Sequence, residues 1–292
     1  MSIQENLDDF IKVFTGHPLT YNYGTYPIVR EENKAGEKVS NTSIHFAEGA
    51  TVVPSLYEAH LKGKQFIGIA PINDENKAQF GVIDIDIYGE TLMRIVRLVY
   101  DNNLPLVPFR TKSGGLHLYL FLKAPVQAKS VIDCLKDVDD ALGLSANFPK
   151  KVELFPKQSK LVAGQNPSPI TLPYFNALLP SAYIIDTKFK EVLFDDAIKV
   201  IKRSRVLLQD VANAIKELPY GDAPKCLQTT RLGSWIRKDG GRNKYLYSVC
   251  VYLKKKYNGD LMSVKNELFE YNQDMFEPVD DEELETILNS LS

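Results

Sequence analysis

The chain is poor in the residues that build covalent or metal-stapled folds. It has 3 cysteines, Cys134, Cys226 and Cys250, in 292 residues. They are far apart and form no CxxC pair, so neither a zinc knuckle nor a disulfide framework is signalled. The four histidines give no zinc-ligand spacing either. No apolar run reaches membrane-spanning length. The polar, acidic start, Met1-Ser2-Ile3-Gln4-Glu5-Asn6, has no signal-peptide pattern. Charge of one sign is also missing in net terms: 35 Lys plus Arg stand against 37 Asp plus Glu, a balance of −2. These absences lead to the expectation of a soluble cytoplasmic protein without a uniformly basic coat.

What is present fits an ordinary globular chain, with 44% hydrophobic and 25% charged residues. The length allows one large domain or two smaller ones. Gln65–Ile72 and Phe80–Tyr88 read as strands, and Glu90–Tyr100 as a helix with Leu92, Ile95, Val96 and Val99 on one face. Leu104–Phe109 is extended, with Pro105 and Pro108 favouring a sheet edge. Leu116–Leu122 and Lys151–Phe155 read as further strands around a helix over Ala128–Leu144. Strands alternating with helices predict an α/β or α+β domain with helices packed on a sheet.

From about residue 190 the pattern turns helical. One long helix is expected over Val192–Leu218, then a hinge at Pro219–Pro224, then helices over Tyr245–Tyr257, Leu261–Asn272 and Asp280–Leu291. The expected division is therefore a strand-and-helix domain at 1–190 and a helical domain at 191–292, with a linker helix at about 191–218. The charge of the second part is polarised. Eight basic residues against Asp239 lie between Arg231 and Lys256, and ten acids against Lys265 follow from Tyr257 onward. Trp235, Tyr245 and Tyr247 interleave with the basic block. Such a block suits a phosphate backbone, though a solvated helix face reads the same way.

Three segments could carry chemistry. In Gly81-Val82-Ile83-Asp84-Ile85-Asp86-Ile87-Tyr88, apolar and acidic residues alternate. In a strand, Asp84 and Asp86 then share one face, roughly 6–7 Å apart, while the isoleucines face a core. Two neighbouring half-buried carboxylates repel, and a divalent cation between them offsets that cost. All-oxygen ligation suits Mg²⁺ or Mn²⁺. A strand with one wet face is the plain alternative.

The second segment, Arg110-Thr111-Lys112-Ser113-Gly114-Gly115-Leu116-His117, joins two strands. Its glycines let backbone N–H groups approach an anion, Lys112 and Ser113 add a charge and a hydroxyl, and His117 follows at the start of the next strand. A Gly-Gly hairpin turn followed by a packed histidine has the same sequence. In the third, Lys151-Val152-Glu153-Leu154-Phe155-Pro156-Lys157-Gln158, Glu153 could complete a three-carboxylate set or merely form a surface ion pair.

Taken in order, Asp84-Ile85-Asp86, Ser113-Gly114-Gly115-Leu116-His117 and Val152-Glu153-Leu154-Phe155-Pro156-Lys157-Gln158 resemble the three motifs of the archaeo-eukaryotic primase superfamily. The likeness is strongest to its primase-polymerase branch in phages, plasmids and conflict systems, and covers roughly residues 20–180. Phe155-Pro156-Lys157-Gln158, Leu172-Pro173-Tyr174-Phe175 and Lys62-Gly63-Lys64 with Ile67-Gly68-Ile69-Ala70-Pro71 add to it. No GxxxxGK[ST] loop of a fused helicase occurs.

The resemblance implies an RNA-recognition-motif-like catalytic sheet flanked by helices, an N-terminal α/β part, and a small all-helical C-terminal domain. It implies that Asp84, Asp86 and Glu153 hold two divalent ions, Mg²⁺ or Mn²⁺, one activating a 3′-hydroxyl and the other the incoming triphosphate. Ser113, Gly114 and His117 would bind the triphosphate, with Arg110, Lys112 and Lys157 as further cations. The implied activity is that of a DNA-dependent primase-polymerase, making and extending primers on single-stranded DNA from dNTPs or NTPs. A phage- or mobile-element origin and a separate replicative helicase as partner belong to the same expectation. On the strength of the basic block, Arg237, Lys238, Arg242 and Lys244 would hold template or initiating nucleotide. A metal-dependent nuclease, or a non-catalytic module binding single-stranded nucleic acid, would share many of these residues.

Overall fold

The computed structural model describes residues 3–25, 31–32, 38–39, 43–218, 241–273 and 279–290. Arg237, Lys238 and the expected hinge at 219–224 lie outside the described residues. Among the described residues, no helix is long and apolar enough to cross a membrane.

The centre of the fold is a β-α-β-β-α-β unit. It runs β6 (Lys77–Ile85), α3 (Glu90–Asp101), β7 (Val107–Arg110), β8 (Leu116–Gln127), α4 (Ala128–Leu142) and β9 (Val152–Phe155). The two-residue β11 (Tyr183–Ile184) completes a sheet of order β11-β7-β8-β6-β9, antiparallel throughout. Within it, the order β7-β8-β6-β9 is that of an RNA-recognition-motif sheet. The expected fold class, an α/β core of this type with a helical C-terminal part, is what the structure has. Pro105 and Pro108 suggested an edge at β7, but β11 covers that strand. Ile184 pairs with Phe109 and Tyr183 with Arg110, because the chain returns to this side after residue 182.

Period-two patterning gives the sheet two different faces. On one, Ile83, Ile85, Leu116, Leu118 and Leu120 pack against Leu92, Ile95, Val96 and Val99 of α3 and Val131 and Leu135 of α4. The contact is close at Gly81, where a Cβ would lie 2.7 Å from Val131 Cγ1. On the other face, Phe80, Val82, Phe109, Tyr119, Phe121 and Phe155 meet a second core.

That second core is supplied by an N-terminal layer. It comprises α1 (Ile3–Val13), β1 (Thr20–Thr25), β4 (Ser43–Glu48), α2 (Pro54–Leu61), β5 (Phe66–Ile69) and, from later in the chain, β10 (Ile170–Thr171). Its strands form an antiparallel sheet of order β10-β5-β1-β4. A two-stranded ladder of β2 (Glu31–Glu32) and β3 (Lys38–Val39) stands apart from it. Phe10, Phe14, Ile67, Ile69, Ile170 and Leu172 bury their side chains against the central sheet. Phe14 makes edge-on contacts with Phe80, Tyr119 and Phe121, all at 5.7 Å between ring centroids. A four-residue helix, α5 (Leu144–Asn147), precedes β9.

The single helix expected over 192–218 is two, α6 (Phe194–Arg203) and α7 (Leu208–Glu217). The backbone leaves helical form between them because it pairs with β8 instead. Val206 bridges Leu122 in parallel, its N–H donating to Phe121 O at 3.0 Å, while the Arg205 guanidinium donates to the Leu122 and Lys123 carbonyls. Phe194, Ile198 and Ile201 of α6 enter the second core, and Val211 of α7 enters the first. The remaining helices, α8 (Gly241–Lys256), α9 (Leu261–Gln273) and α10 (Asp281–Asn289), match the three expected. They share their own cluster of Leu246, Val249, Leu253, Val264, Leu268, Leu284 and Ile287. Asp280 caps α10, accepting from the Glu283 N–H at 2.8 Å.

Candidate nucleotidyl-transfer site

The register of the central sheet sets the site. Asp84 pairs with His117 on one side and Glu153 on the other, and His117 pairs in turn with Phe109. Phe109, His117, Asp84 and Glu153 therefore form one row across four strands, on the face that meets the N-terminal layer. The preceding row, Val107, Tyr119, Val82 and Phe155, is buried. The core ends within the next row, in which Phe109 is still buried and His117, Asp84 and Glu153 are not. At Asp84 the sheet face comes out from under the N-terminal layer, and on the three strands β8, β6 and β9 the side chains change from apolar or aromatic to ionisable.

Across that row the Asp84 Oδ1 lies 3.2 Å from the His117 Nε2, with side-chain exposures of 27% and 15%. Asp86 follows on the same face, just past the end of β6, its N–H still donating to Lys151 O at 2.8 Å. The Tyr88 hydroxyl donates to Asp86 Oδ1 at 3.3 Å. Glu153 sits at the rim, 56% exposed, and its Oε2 accepts from Lys157 Nζ at 2.9 Å. Lys157 also lies over the Phe155 ring, 4.9 Å from its centroid.

The segment between β7 and β8 is a closed turn. The Thr111 N–H donates to Gly115 O (3.0 Å) and the Gly114 N–H to Thr111 O (2.9 Å). The Gly115 N–H donates to the Thr111 hydroxyl oxygen at 2.9 Å. Gly114 has φ +84°, a conformation that disfavours any side chain. Gly115 lies so close to β6 that a Cβ would come within 2.9 Å of the Ile85 carbonyl oxygen. This corrects the expected role of the glycines. Both N–H groups are engaged inside the turn, so Gly114 shapes the loop rather than donating to an anion. The polar side chains that this segment presents to the cleft are those of Arg110, Thr111, Lys112 and Ser113.

These elements enclose a cleft of about 310 Å³. Asp84, Asp86, Arg110, Lys112, Ser113 and His117 line it, and the apolar side chains of Phe109, Phe155, Ile170, Leu172 and Pro173 complete its wall. Six of the expected site residues thus meet at one cavity. Gly114, Glu153 and Lys157 are not part of its lining. Arg242 and Lys244 fall in the first turn of α8.

Sequence reasoning missed Thr111 and the Pro169–Pro173 wall. The first had a signal, a hydroxyl residue opening a Gly-rich turn. The wall had none in its spacing, because β10 reaches the cleft only by pairing with β5. His60 holds that wall from behind. It is fully buried, its Nδ1 accepts from the Ile67 N–H at 3.1 Å, and its Nε2 lies 2.8 Å from Pro173 O, so the imidazole is neutral with the proton on Nε2. Burial pushes its pKa down to about 4, against a smaller opposite pull from the Pro173 carbonyl.

The donor set suits a divalent cation. Asp84 and Asp86 offer hard oxygen donors to one cavity, which fits Mg²⁺ or Mn²⁺. Among the described residues no group of three or more His, Cys, Asp or Glu side chains is gathered as a finished cage. Two carboxylates with the remaining positions left to water and phosphate oxygens is a usual arrangement for Mg²⁺.

An RNA-recognition-motif-like sheet carrying an acid pair, a basic hydroxyl-bearing turn and an apolar wall defines a site of the primase-like nucleotidyltransferase class. The chain matches the archaeo-eukaryotic primase domain of TOTE conflict systems over residues 18–212, well over half its length, and belongs to that family. The match extends past the roughly 20–180 of the motif resemblance and takes in α6 and part of α7. No curated protein matches the chain. Among solved structures, the crystal structure of a primase RepB' is similar at 10% identity and a TM-score of 0.25, covering 99% of this chain and 86% of that one.

Proposed function

We propose that this protein is a template-directed primase-polymerase, joining dNTPs or NTPs into primers on single-stranded DNA and extending them. The observation that carries this reading is the row Phe109–His117–Asp84–Glu153, whose first three residues line one cleft with the Ser113 turn while Glu153 stands beside Asp84 on the next strand.

In this reading the triphosphate lies between the turn and β6. Ser113 and His117 donate to its oxygens, and Arg110 and Lys112 offset its charge. Lys157 adds a further cation from the rim. The nucleoside rests against the apolar wall of Phe109, Ile170, Leu172 and Pro173. Asp84 and Asp86 hold divalent ions, with Glu153 joining them when it leaves Lys157. When bound, those ions supply the charge that lowers the attacking hydroxyl's pKa and stabilises the leaving pyrophosphate. Asp84 is thereby shared between metal and His117, which keeps the imidazole turned toward the phosphates.

On packing, we place the boundary of the catalytic unit after Leu218, since α6 and α7 complete its two cores. The helical unit that follows takes the role of holding template or initiating nucleotide, through Arg237, Lys238, Arg242 and Lys244.

The test is incorporation of labelled dNTPs and NTPs on a single-stranded template with Mg²⁺ or Mn²⁺. Template-dependent products that vanish in Asp84→Ala/Asp86→Ala are expected. Degradation of the strand without incorporation identifies a nuclease instead. Metal-independent binding with neither reaction identifies a binding module.

A further inference from the structure

We infer that Thr111 is a positioning residue that sets the direction of the Ser113 hydroxyl, so that Ser113 donates outward to a phosphate oxygen. The inference deepens the proposed function and rests on it.

Thr111 is buried, at 9% exposure, at the root of the turn between β7 and β8. Its Oγ1 accepts the Gly115 N–H at 2.9 Å and lies 3.0 Å from the Ser113 Oγ. A hydroxyl has one proton to give and two lone pairs to accept with. With the Gly115 N–H on one lone pair, either hydroxyl can supply the proton between Thr111 Oγ1 and Ser113 Oγ; a phosphate oxygen in the cleft, which only accepts, draws the Ser113 proton outward and leaves the Thr111 proton to fill this contact. Ser113 then accepts from Thr111 and keeps its own proton for a partner in the cleft, which it lines. The chain Gly115 N–H, Thr111 O–H, Ser113 O–H runs in one direction, and each link polarises the next. It ends where the cations Arg110 and Lys112 line the same cavity.

The same threonine ties the turn to the acid pair. Gly115, held by Thr111, sits against β6, where a Cβ would lie 2.9 Å from Ile85 O and 3.6 Å from Asp86 Oδ1. Thr111 thus links the turn that carries Ser113 to the strand end that carries Asp86. Serine keeps the hydroxyl that does this. Valine keeps the shape and loses it.

The experiment is calorimetric binding of inorganic tripolyphosphate and of dATP, each with Mg²⁺, to wild type, Thr111→Val, Thr111→Ser, Ser113→Ala and Thr111→Val/Ser113→Ala. Thr111→Val is expected to weaken both probes about 5- to 10-fold, the scale of one hydrogen bond. Thr111→Ser is expected to stay within about 2-fold of wild type. In the Ser113→Ala background, Thr111→Val is expected to add less than about 2-fold, since the two residues act as one unit. Should Thr111→Val unfold, Thr111→Ala makes the same comparison. Wild-type affinity in the threonine variant, or a full additive loss on top of Ser113→Ala, overturns the inference alone. Wild-type protein that binds neither probe overturns the functional reading and the inference with it.

Discussion

His117 and Asp84 face each other across β8 and β6, their Nε2 and Oδ1 atoms 3.2 Å apart, at the row where the aromatic core gives way to the cleft. A carboxylate beside the imidazole fixes its orientation and leaves the other ring edge for a ligand. His117→Ala should fold normally, because the adjoining Tyr119 and Phe121 already seal the core. It should lower nucleotide incorporation about 10- to 100-fold, the range for losing a hydrogen bond to a charged group. Circular dichroism together with steady-state incorporation checks both halves.

Gly115→Ala tests the packing of the turn on β6. The added methyl meets a backbone oxygen, Ile85 O at 2.9 Å, rather than a side chain that can swing away. Overpacking of this kind costs about 1–3 kcal/mol. Denaturant unfolding should show that loss, and tripolyphosphate binding should weaken with it because the turn is displaced.

His60 makes stability depend on pH in a stated direction. Its folded pKa is held down to about 4 from an ordinary value of 6.5. The unfolded chain therefore binds the proton first as pH falls. The stabilisation from the neutral imidazole is complete above the unfolded value. It is lost progressively as pH falls from about 6.5 to about 4, for a total on the order of 3 kcal/mol. Denaturation of wild type and His60→Gln across this range should show a slope in the first that is absent from the second.

Lys157→Met separates stability from ligand binding. The Lys157–Glu153 pair is solvent-exposed on both sides, and such pairs contribute about 0–1 kcal/mol. Unfolding free energy should change by no more than that. The KM for nucleotide should rise about tenfold if Lys157 moves from Glu153 to a phosphate, as a charge-assisted hydrogen bond requires. An unchanged KM would leave Lys157 as a surface ion-pair partner only.

The helical unit makes a prediction about salt. Neutralising Arg237, Lys238, Arg242 and Lys244 together should weaken single-stranded DNA binding and flatten its salt dependence by about 0.7 for each phosphate that is no longer neutralised. Binding isotherms at several salt concentrations measure that slope directly. A slope equal to wild type would place the template elsewhere.

Much of this protein was legible before any tertiary structure. The alternation through Ile83, Asp84, Ile85 and Asp86 is a local property, and period two in a strand dictates that the acids share one face and the isoleucines the other. The helical spacing of Leu92, Ile95, Val96 and Val99 likewise settled α3. The Gly-rich turn was legible as a turn, but not its internal hydrogen bonding. The sequence shows two glycines and not where their N–H groups point. The break between α6 and α7 was not legible either. It depends on Val206 finding a backbone partner in β8, 84 residues earlier in the chain.

By itself, then, the sequence determined which side chains lie on which face of each element, because that follows from bonds and dihedral angles between near neighbours. Only the tertiary structure decided which row of the sheet they occupy. Register is set by pairing between strands remote in sequence and by the aromatic layer that covers Val82 and Tyr119 but stops short of Asp84 and His117. That stopping point turns a charged strand into a site.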